Sequence, residues 1–575
     1  MGSDASAVPA SGWAVCRSGH DFRQGFRHAF DTLYHYVPVA PRKIRSHEPN
    51  VADVTASPVA NRAGTPTQLA CPAPARARRV IAMLALALLA GCTVGPDFKR
   101  PAAPDVSGYT ARPLATTASS GQVAGGAAQR FASGGEIPAD WWTLFHSRPL
   151  NALIEQSLKN NPDLKAAQAA LTVAHENVLA QRGDYFPSIT ASASASRQKQ
   201  STLLAPVPNY PVVSSEFLFN LFTPQVSVSY VPDVFGLNRR TMESLRAQEQ
   251  VVRYQMIATQ ITLTANVVVA AVQEASLQGQ VDATQQLVRI NTRMLHILQY
   301  QFAKGYAGRL DLAAQQAQLA QVATTLPPLR KQLAQQRHLL AVLVGRFPGQ
   351  TPAGTFRLSD LQLPQDLPLS LPSKLVAQRP DVLQAEANLH AASAQIGVAI
   401  ANRLPSIALT ADAGSTALAI GQVFKAGTGF WDLGAGVAAP IFQGGKLLHQ
   451  ERAAKAAYAQ AAQQYRSTVL TAFQNVADTL SALQQDADGL KAAAAAADAA
   501  KVTLELSRRQ LQDGYAGYLP LLGAEQAYQQ ARIGLVQAQA NRYADTAALF
   551  QALGGGWWNQ ADPARADSTQ DTHEK

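Results

Sequence analysis

The sequence predicts a mainly α-helical protein with a transmembrane β part, built from one unit that occurs twice: helix, two strands and a long helical hairpin. Three observations lead to this fold class. Landmarks of the first half recur in the same order in the second half, two very long stretches have helical composition without a proline, and four short segments alternate polar and apolar residues. A helix of about 65 residues would be roughly 100 Å long, which exceeds the diameter of a compact domain.

Residues 76–91 are predicted to be a lipoprotein signal peptide. They begin with basic residues, continue as an apolar stretch and end in small residues, which is the order of a secretory signal. The apolar stretch is too short to span a bilayer as a mature helix. The sequence Leu89-Ala90-Gly91-Cys92 resembles the bacterial lipobox, which implies lipidation of Cys92. By the same resemblance, Thr93 in place of an aspartate favours the outer membrane.

Residues 1–75 precede this signal and are interpreted as a disordered extension with a mis-assigned start. Of the 49 basic and 39 acidic residues in the chain, ten and five, respectively, precede Cys92. The remaining charge is nearly balanced and excludes a nucleic-acid footprint. Two of the three cysteines, Cys16 and Cys71, also lie in this leader. The mature chain therefore has no cysteines for an internal disulfide or a Cys-based metal site.

The internal duplication is visible in four landmarks that recur in order. Each landmark of the first copy returns 207 to 218 residues later. The pairs are Asn161-Pro162-Asp163 with Arg379-Pro380-Asp381, Phe186-Pro187-Ser188-Ile189 with Leu404-Pro405-Ser406-Ile407, Val231-Pro232 with Ala439-Pro440, and Gly305-Tyr306-Ala307-Gly308 with Gly514-Tyr515-Ala516-Gly517. Four landmarks in one order indicate a gene-level duplication.

The first repeat is predicted at residues 149–344, after a lipidated N-terminal segment at 92–148. Its elements are, in chain order, a helix at 149–182, strands at about 187–199 and 222–231, a long helix, a hairpin tip at 303–311 and a return helix. The Pro327-Pro328 pair in the return helix predicts two stacked helices or a marked kink. The turn glycines of this tip are Gly305 and Gly308.

The second repeat, residues 373–553, follows the same plan. Its strands are predicted at about 405–413 and 431–440 and its hairpin tip at 512–523, with turn glycines Gly514 and Gly517. An equatorial connector with five prolines, residues 345–372, joins the two repeats. The polar tail at 554–575 is predicted to be disordered.

The four predicted strands are long enough to cross an outer membrane at a tilt. Four strands cannot close a barrel, and open edges in lipid leave backbone groups unpaired. Closure therefore requires other copies of the chain, and three copies give a trimeric 12-stranded β-barrel with a lumen, continued by a periplasmic α-helical barrel. Alternation places one set of side chains toward water: Ser192, Ser194, Ser196, Gln225, Ser227, Ser229, Thr410 and Asp412.

Several short motifs, taken together with the duplication, resemble one known family. They are Cys92-Thr93-Val94-Gly95-Pro96-Asp97-Phe98-Lys99-Arg100-Pro101, Trp141-Trp142, Arg379-Pro380-Asp381, Pro440-Ile441-Phe442 and Gly514-Tyr515. From Cys92 to about Trp558 the chain resembles the outer-membrane factor (TolC-like) family, in its lipidated NodT-type branch. This resemblance implies a passive exit duct of a tripartite efflux pump in the outer membrane. Its partners would be two further copies, a periplasmic adaptor, an RND-type inner-membrane pump and outer-membrane lipid, with no nucleic acid.

The resemblance also implies that both hairpin tips form a periplasmic gate that an adaptor opens. Relatives constrict the aperture with an apolar ring, which Leu519 matches, and with an acidic ring. This sequence has Gly523 and Ala314 where such relatives have the acid. Asp513 and Asp311 are then the candidate acids, with Tyr515 and Tyr306 in the same turns; solvent-exposed aspartates at helix ends are the alternative.

Two alternative functions remain open at this point. One is an outer-membrane duct for type I protein secretion, and the other is a non-channel structural coiled-coil lipoprotein of the periplasm. The mature chain has no catalytic fingerprint and its histidines lie at wide spacings. We therefore expect neither catalysis nor a metal or other cofactor.

Overall fold

The protein is described by a computed structural model over residues 93–112, 114–121, 123–200, 217–350 and 357–559. The predictions for residues 1–91, for the lipidation of Cys92 and for the tail beyond Asn559 lie outside these ranges. The described residues all belong to one unit.

Each repeat contains helices, two strands and a helical hairpin, which confirms the predicted fold class. The single helix predicted at 149–182 is wrong: two helices, Arg148–Asn160 and Pro162–Arg182, take its place, because Asn161 is not helical and caps the second of them. The strands are β1 (Arg130–Ser133), β2 (Ser188–Gln200), β3 (Phe217–Tyr230), β4 (Asp366–Leu369), β5 (Ser406–Ser415) and β6 (Gly429–Ala438). The helices are α1 (Arg148–Asn160), α2 (Pro162–Arg182), α3 (Leu237–Ala303), α4 (Arg309–Leu343), α5 (Pro372–Gln378), α6 (Pro380–Ala401), α7 (Lys446–Gln512) and α8 (Tyr518–Ala552).

The two helical hairpins have the same dimensions. Helices α3 and α7 each contain 67 residues, and α4 and α8 each contain 35. Every residue of the first hairpin therefore has an equivalent 209 positions later in the second. Pro327 and Pro328 lie inside the continuous helix α4, so the alternative of two stacked helices is wrong. Both prolines are exposed, where water can hydrate the carbonyls that they leave without donors.

Three strand boundaries differ from the prediction. Strand β3 begins at Phe217 and not at 222, because the aromatic run before the alternating segment pairs with the end of β2. Strand β6 lies two residues earlier than predicted and ends at Ala438, since Pro440 has no N–H for a strand ladder. Strand β5 extends to Ser415, where it pairs with Gly429.

The connector and the beginning of the tail contain structure that the sequence analysis missed. Strand β4, in the connector, pairs in parallel with β1 of the N-terminal segment. After α8, the Trp557 indole donates to Gln378 O at 2.8 Å, and the Asn559 amide donates to Ile137 O at 2.7 Å. The tail is thus ordered as far as Asn559.

The main hydrophobic core lies around the middle of the long helices, where the N-terminal segment and the connector pack on them. Trp141 and Phe145 are buried there beside Tyr543 and Phe550, and the rings of Trp141 and Phe550 stack at 5.1 Å. One described helix, α3, has a stretch apolar enough to pass for a membrane span, but more than half of that stretch is buried. The apolar composition of this stretch of α3 is explained by its packing in the core.

Candidate functional site

The four long strands form one antiparallel sheet in the order β2-β3-β5-β6. The pairing of β3 with β5 joins the two repeats through six residue pairs, from Gln225 with Gly414 to Tyr230 with Leu409. In the described part of the chain, β2 pairs only with β3 and β6 only with β5. Each protomer therefore has two open edges, one from each repeat.

In the half of the sheet next to the helices, the register separates polar from apolar side chains on all four strands; farther along β2 and β3, Leu221 joins the polar face and Arg197 the apolar one. Ser192 lies opposite Gln225, and Ser227 lies between Thr190 and Asp412. The remaining members of this face include Ser188, Ser194, Ser229, Thr410 and Asp432. The other face carries Ile189, Ala193, Val226, Val228, Leu409, Ala411, Leu433 and Val437. A sheet with one polar and one apolar face suits a wall between lipid and a water-filled lumen.

The hairpin tips are built by the same backbone motif in both repeats. The N–H of Gly305 donates to Phe302 O and that of Tyr306 to Gln301 O; the N–H of Gly514 and Tyr515 bond in the same way to Leu511 O and Gln510 O. These paired bonds are Schellman motifs, which require a left-handed residue after the helix. Gly305 and Gly514 supply it, with φ of +79° and +76°.

The second glycine of each tip has a different role. Gly308 and Gly517 have negative φ and stand at the N-caps of α4 and α8. The N–H of Gly308 donates to the Asp311 carboxylate at 3.1 Å, which completes a capping interaction. Asp311 thus has a local structural partner. Asp513 is an exposed residue at the C-cap of α7.

The aromatic and apolar residues predicted for the gate are exposed in the protomer. The exposed fraction is 84% for Tyr306, 85% for Tyr515 and 47% for Leu519. The tips therefore present aromatic and apolar side chains at the surface of the protomer.

A groove near the tips involves residues that the sequence analysis did not assign to the site. Its volume is about 980 Å³, and it is lined by one face of α3 together with Tyr306 and Tyr518. The α3 residues include Arg289, Arg293, His296 and Tyr300. Their spacing of three and four residues places them on one helix face, and this signal was available in the sequence.

Comparison with known proteins matches both repeats to one family. A family model described as outer membrane efflux protein matches residues 153–346 and 371–555. The two matched segments each contain a helix, two strands and a hairpin, and the residues between them belong to the connector.

Individual relatives cover most of the chain. The pyoverdine export outer membrane protein OpmQ of Pseudomonas putida is 30% identical over 73% of this chain and 88% of its own length. The probable efflux pump outer membrane protein TtgC of Pseudomonas putida is 29% identical over 84% of this chain and 97% of its own. A structure of the open state of the Neisseria gonorrhoeae MtrE outer membrane channel superposes with a TM-score of 0.68 at 26% identity, covering 82% of this chain and all of that one.

Proposed function

Since the chain belongs to the outer membrane efflux protein family, we propose that three copies form a passive exit duct that is gated at its periplasmic tip and opened by an adaptor protein. The chain is the outer-membrane channel component of a tripartite efflux pump and not an enzyme. The observation that carries the trimeric duct is the four-stranded sheet, which has one polar face, one apolar face and two open edges.

The internal pairing of the repeats suggests how neighbouring protomers close the barrel. Inside one chain, the second strand of repeat 1 pairs with the first strand of repeat 2. If β6 pairs with β2 of the next copy in the equivalent register, Val437 lies opposite Ala193, as Val228 lies opposite Ala411 within the chain. Positions of the polar face then also meet each other, because Gly436 lies opposite Ser194. Such pairing satisfies the backbone groups of both edges, which hydrocarbon requires.

Disulfide trapping tests this closure. A variant with Val437→Cys and Ala193→Cys should form covalent trimers in oxidised outer membranes, because directly opposed residues on paired strands bring their Cβ atoms to about 5 Å. Val228→Cys with Ala411→Cys should form a bond within one chain and serves as the positive control. Val437→Cys with Ile189→Cys should stay monomeric. Absence of covalent oligomers in the first pair, with the internal control oxidised, would contradict the trimer.

The gate is assigned to the two tip turns. Leu519 supplies the apolar ring, with Tyr306 and Tyr515 in the turns. Asp513 supplies the charge, because Asp311 is engaged in the cap of α4. Exposure of apolar and aromatic side chains at the tips supports an assembly in which neighbouring copies and the adaptor cover them. The adaptor and an RND-type inner-membrane pump are the partners that we propose.

Cross-linking of the tips tests the gate. Lys304 and Asp513 occupy equivalent C-cap positions in the two turns. A variant with Lys304→Cys and Asp513→Cys, treated with a short bifunctional maleimide, should lose efflux while trimers assemble normally. Each single cysteine variant should keep efflux after the same treatment. Unchanged efflux in a fully cross-linked double variant would remove the gate from these turns.

The N-terminal segment supports a lipid anchor at the membrane surface. The N–H of Val94 donates to Phe235 O at 3.2 Å, and the buried Arg240 guanidinium donates to Val94 O at 3.0 Å. Phe235 lies between the sheet and α3. Because Cys92 is two residues away, we propose that its acyl chains enter the membrane beside the periplasmic end of the sheet.

A further inference from the structure

Two carboxyl groups meet between α7 and α8 near the main core. Asp545 on α8 lies within hydrogen-bonding reach of Asp486 on α7. Its Oδ2 atom is buried and has no hydrogen-bond partner among the described residues. Two carboxylates offer only acceptors, so a hydrogen bond between them requires one proton. We call Asp486 and Asp545 the carboxyl pair.

Among the described residues, the buried cation Arg542 lies nearby but is not within ion-pair distance of either carboxylate. Arg542, one turn before Asp545, is 1% exposed. Its guanidinium donates to Leu483 O at 3.3 Å, to Ala127 O at 3.2 Å and to Thr117 Oγ1 at 3.3 Å. These are uncharged acceptors on α7 and on the N-terminal segment. The arginine therefore fixes the backbone around the carboxyl pair without a direct hydrogen bond to it.

The surroundings favour the protonated form of one member. Burial, followed by the hydrogen bond and the charge of Asp486, raises the pKa of Asp545 to about 7, and Arg542 opposes this shift. The remaining titratable side chain that interacts with Arg542 is Tyr543. An acid whose pKa is raised by folding binds its proton more tightly in the folded state. The stability that this proton adds is complete below the ordinary pKa of an aspartate and is lost as pH rises through about 7.

The first hairpin has different residues at the equivalent positions. Asp486, Arg542 and Asp545 correspond to Leu277, Leu333 and Gln336. Leu277 and Leu333 are buried in one apolar cluster with Val281, and the Gln336 amide donates to Ala270 O at 3.2 Å. None of these side chains titrates. The first hairpin therefore has no shared proton at the equivalent positions, where an apolar cluster and an amide hydrogen bond join its helices.

We propose that the carboxyl pair shares one proton and is a pH-dependent link between α7 and α8, so that alkaline conditions loosen the second hairpin and not the first. The link itself depends only on the fold. Its effect on opening of the tip, which the second hairpin carries with Leu519, rests on the proposed function.

Hydrogen exchange on the purified full-length chain in detergent tests the link without any transport assay. Peptides around residues 540–550 are compared with their equivalents around 331–341 at pH 5.5 and pH 8.5, after correction for the intrinsic pH dependence of exchange. We expect protection of the α8 peptide to fall on the order of tenfold at the higher pH, and that of the α4 peptide to stay constant.

Two variants separate a shared proton from general alkaline loosening. Asp545→Asn supplies an N–H donor to Asp486 at every pH, so protection of α8 should become pH-independent at the high level. Asp486→Leu, which installs the residue of the first hairpin, removes the partner of the shared proton and should reduce the pH dependence, while the burial of Asp545 alone keeps part of it. A pH dependence that persists in Asp545→Asn, or an equal loss in both hairpins of the unaltered protein, would overturn the proposal. If Asp545→Asn does not assemble, infrared spectroscopy of the unaltered protein replaces it. The band of a protonated carboxyl group should then disappear as pH rises through about 7. A band that does not titrate in this range would overturn the proposal.

Discussion

The two hairpins have the same lengths but different interactions between their helices. In the first, Arg337 on α4 donates to the buried Glu274 on α3 at 2.8 Å and to Gln278 at 3.1 Å, beside the leucine cluster. In the second, Arg542 on α8 bonds to backbone carbonyls, and two carboxyl groups face each other. Equal helix lengths and equal turns thus preserve the geometry of the repeat, while the chemistry that joins each helix pair differs.

The start of each repeat shows the opposite case, where different residues perform one task. Asn161 caps α2 through its carbonyl oxygen and donates from its amide to Leu343 O at 3.1 Å. Arg379, its counterpart, donates to Ala552 O at 2.9 Å and to Ala472 O at 3.1 Å. Leu343 and Ala552 are equivalent residues at the ends of the return helices. Both landmarks therefore hold the end of the return helix beside the helix that follows the landmark in sequence, which is α2 in the first repeat and α6 in the second.

The largest expected effect comes from the leucine cluster of the first hairpin. Leu333→Ala removes a buried side chain that is 6% exposed, and the cavity should cost about 2–5 kcal/mol. Hydrogen exchange should show the loss in α3 and α4 at any pH and leave the second hairpin protected. Leu339→Ala, on the same helix but 46% exposed, should cost less than about 0.5 kcal/mol. Equal losses in both hairpins would mean that the two are one cooperative unit.

These contrasts also mark what the sequence could predict. The helices, the two-faced sheet and the tip glycines follow from periodicity and turn chemistry, which are local. The strand pair β1–β4 escaped detection because its four-residue segments have no measurable period and are stabilised by a distant partner. The carboxyl pair escaped because Asp486 and Asp545 lie far apart in sequence, and only the packing of α7 on α8 brings them together. The capping role of Asp311 agrees with the alternative of an exposed helix-end aspartate, and its spacing of three residues from Gly308 is the local signal for it.

The tip glycines should respond in parallel in the two repeats, with an intermediate effect. Gly305→Ala and Gly514→Ala each place a Cβ at positive φ, which costs about 1–2 kcal/mol. Gly308→Ala and Gly517→Ala keep negative φ and should cost about 0.5 kcal/mol or less as N-cap changes. Exchange of the amides that close α3 and α7 measures the first pair, and exchange in the first turns of α4 and α8 measures the second. A large effect in only one repeat would show that the two tips make different contacts with neighbouring copies in the assembly.

The smallest effect concerns the two ways in which the return helices begin. The third residue of α4 is Asp311, whose carboxylate accepts the N–H of the N-cap residue Gly308. The third residue of α8 is Pro520. Proline is tolerated there because an N–H in the first turn of a helix has no partner within the helix. Asp311→Ala should therefore weaken the start of α4 by about 0.5 kcal/mol and change conductance little. Asp513→Asn should leave the stability of the second tip unchanged and lower the cation selectivity of single channels in planar bilayers, because its carboxylate is exposed at the turn. Equal changes of selectivity in the two variants would place both carboxylates in the aperture, and the cap of α4 would then also be part of the gate.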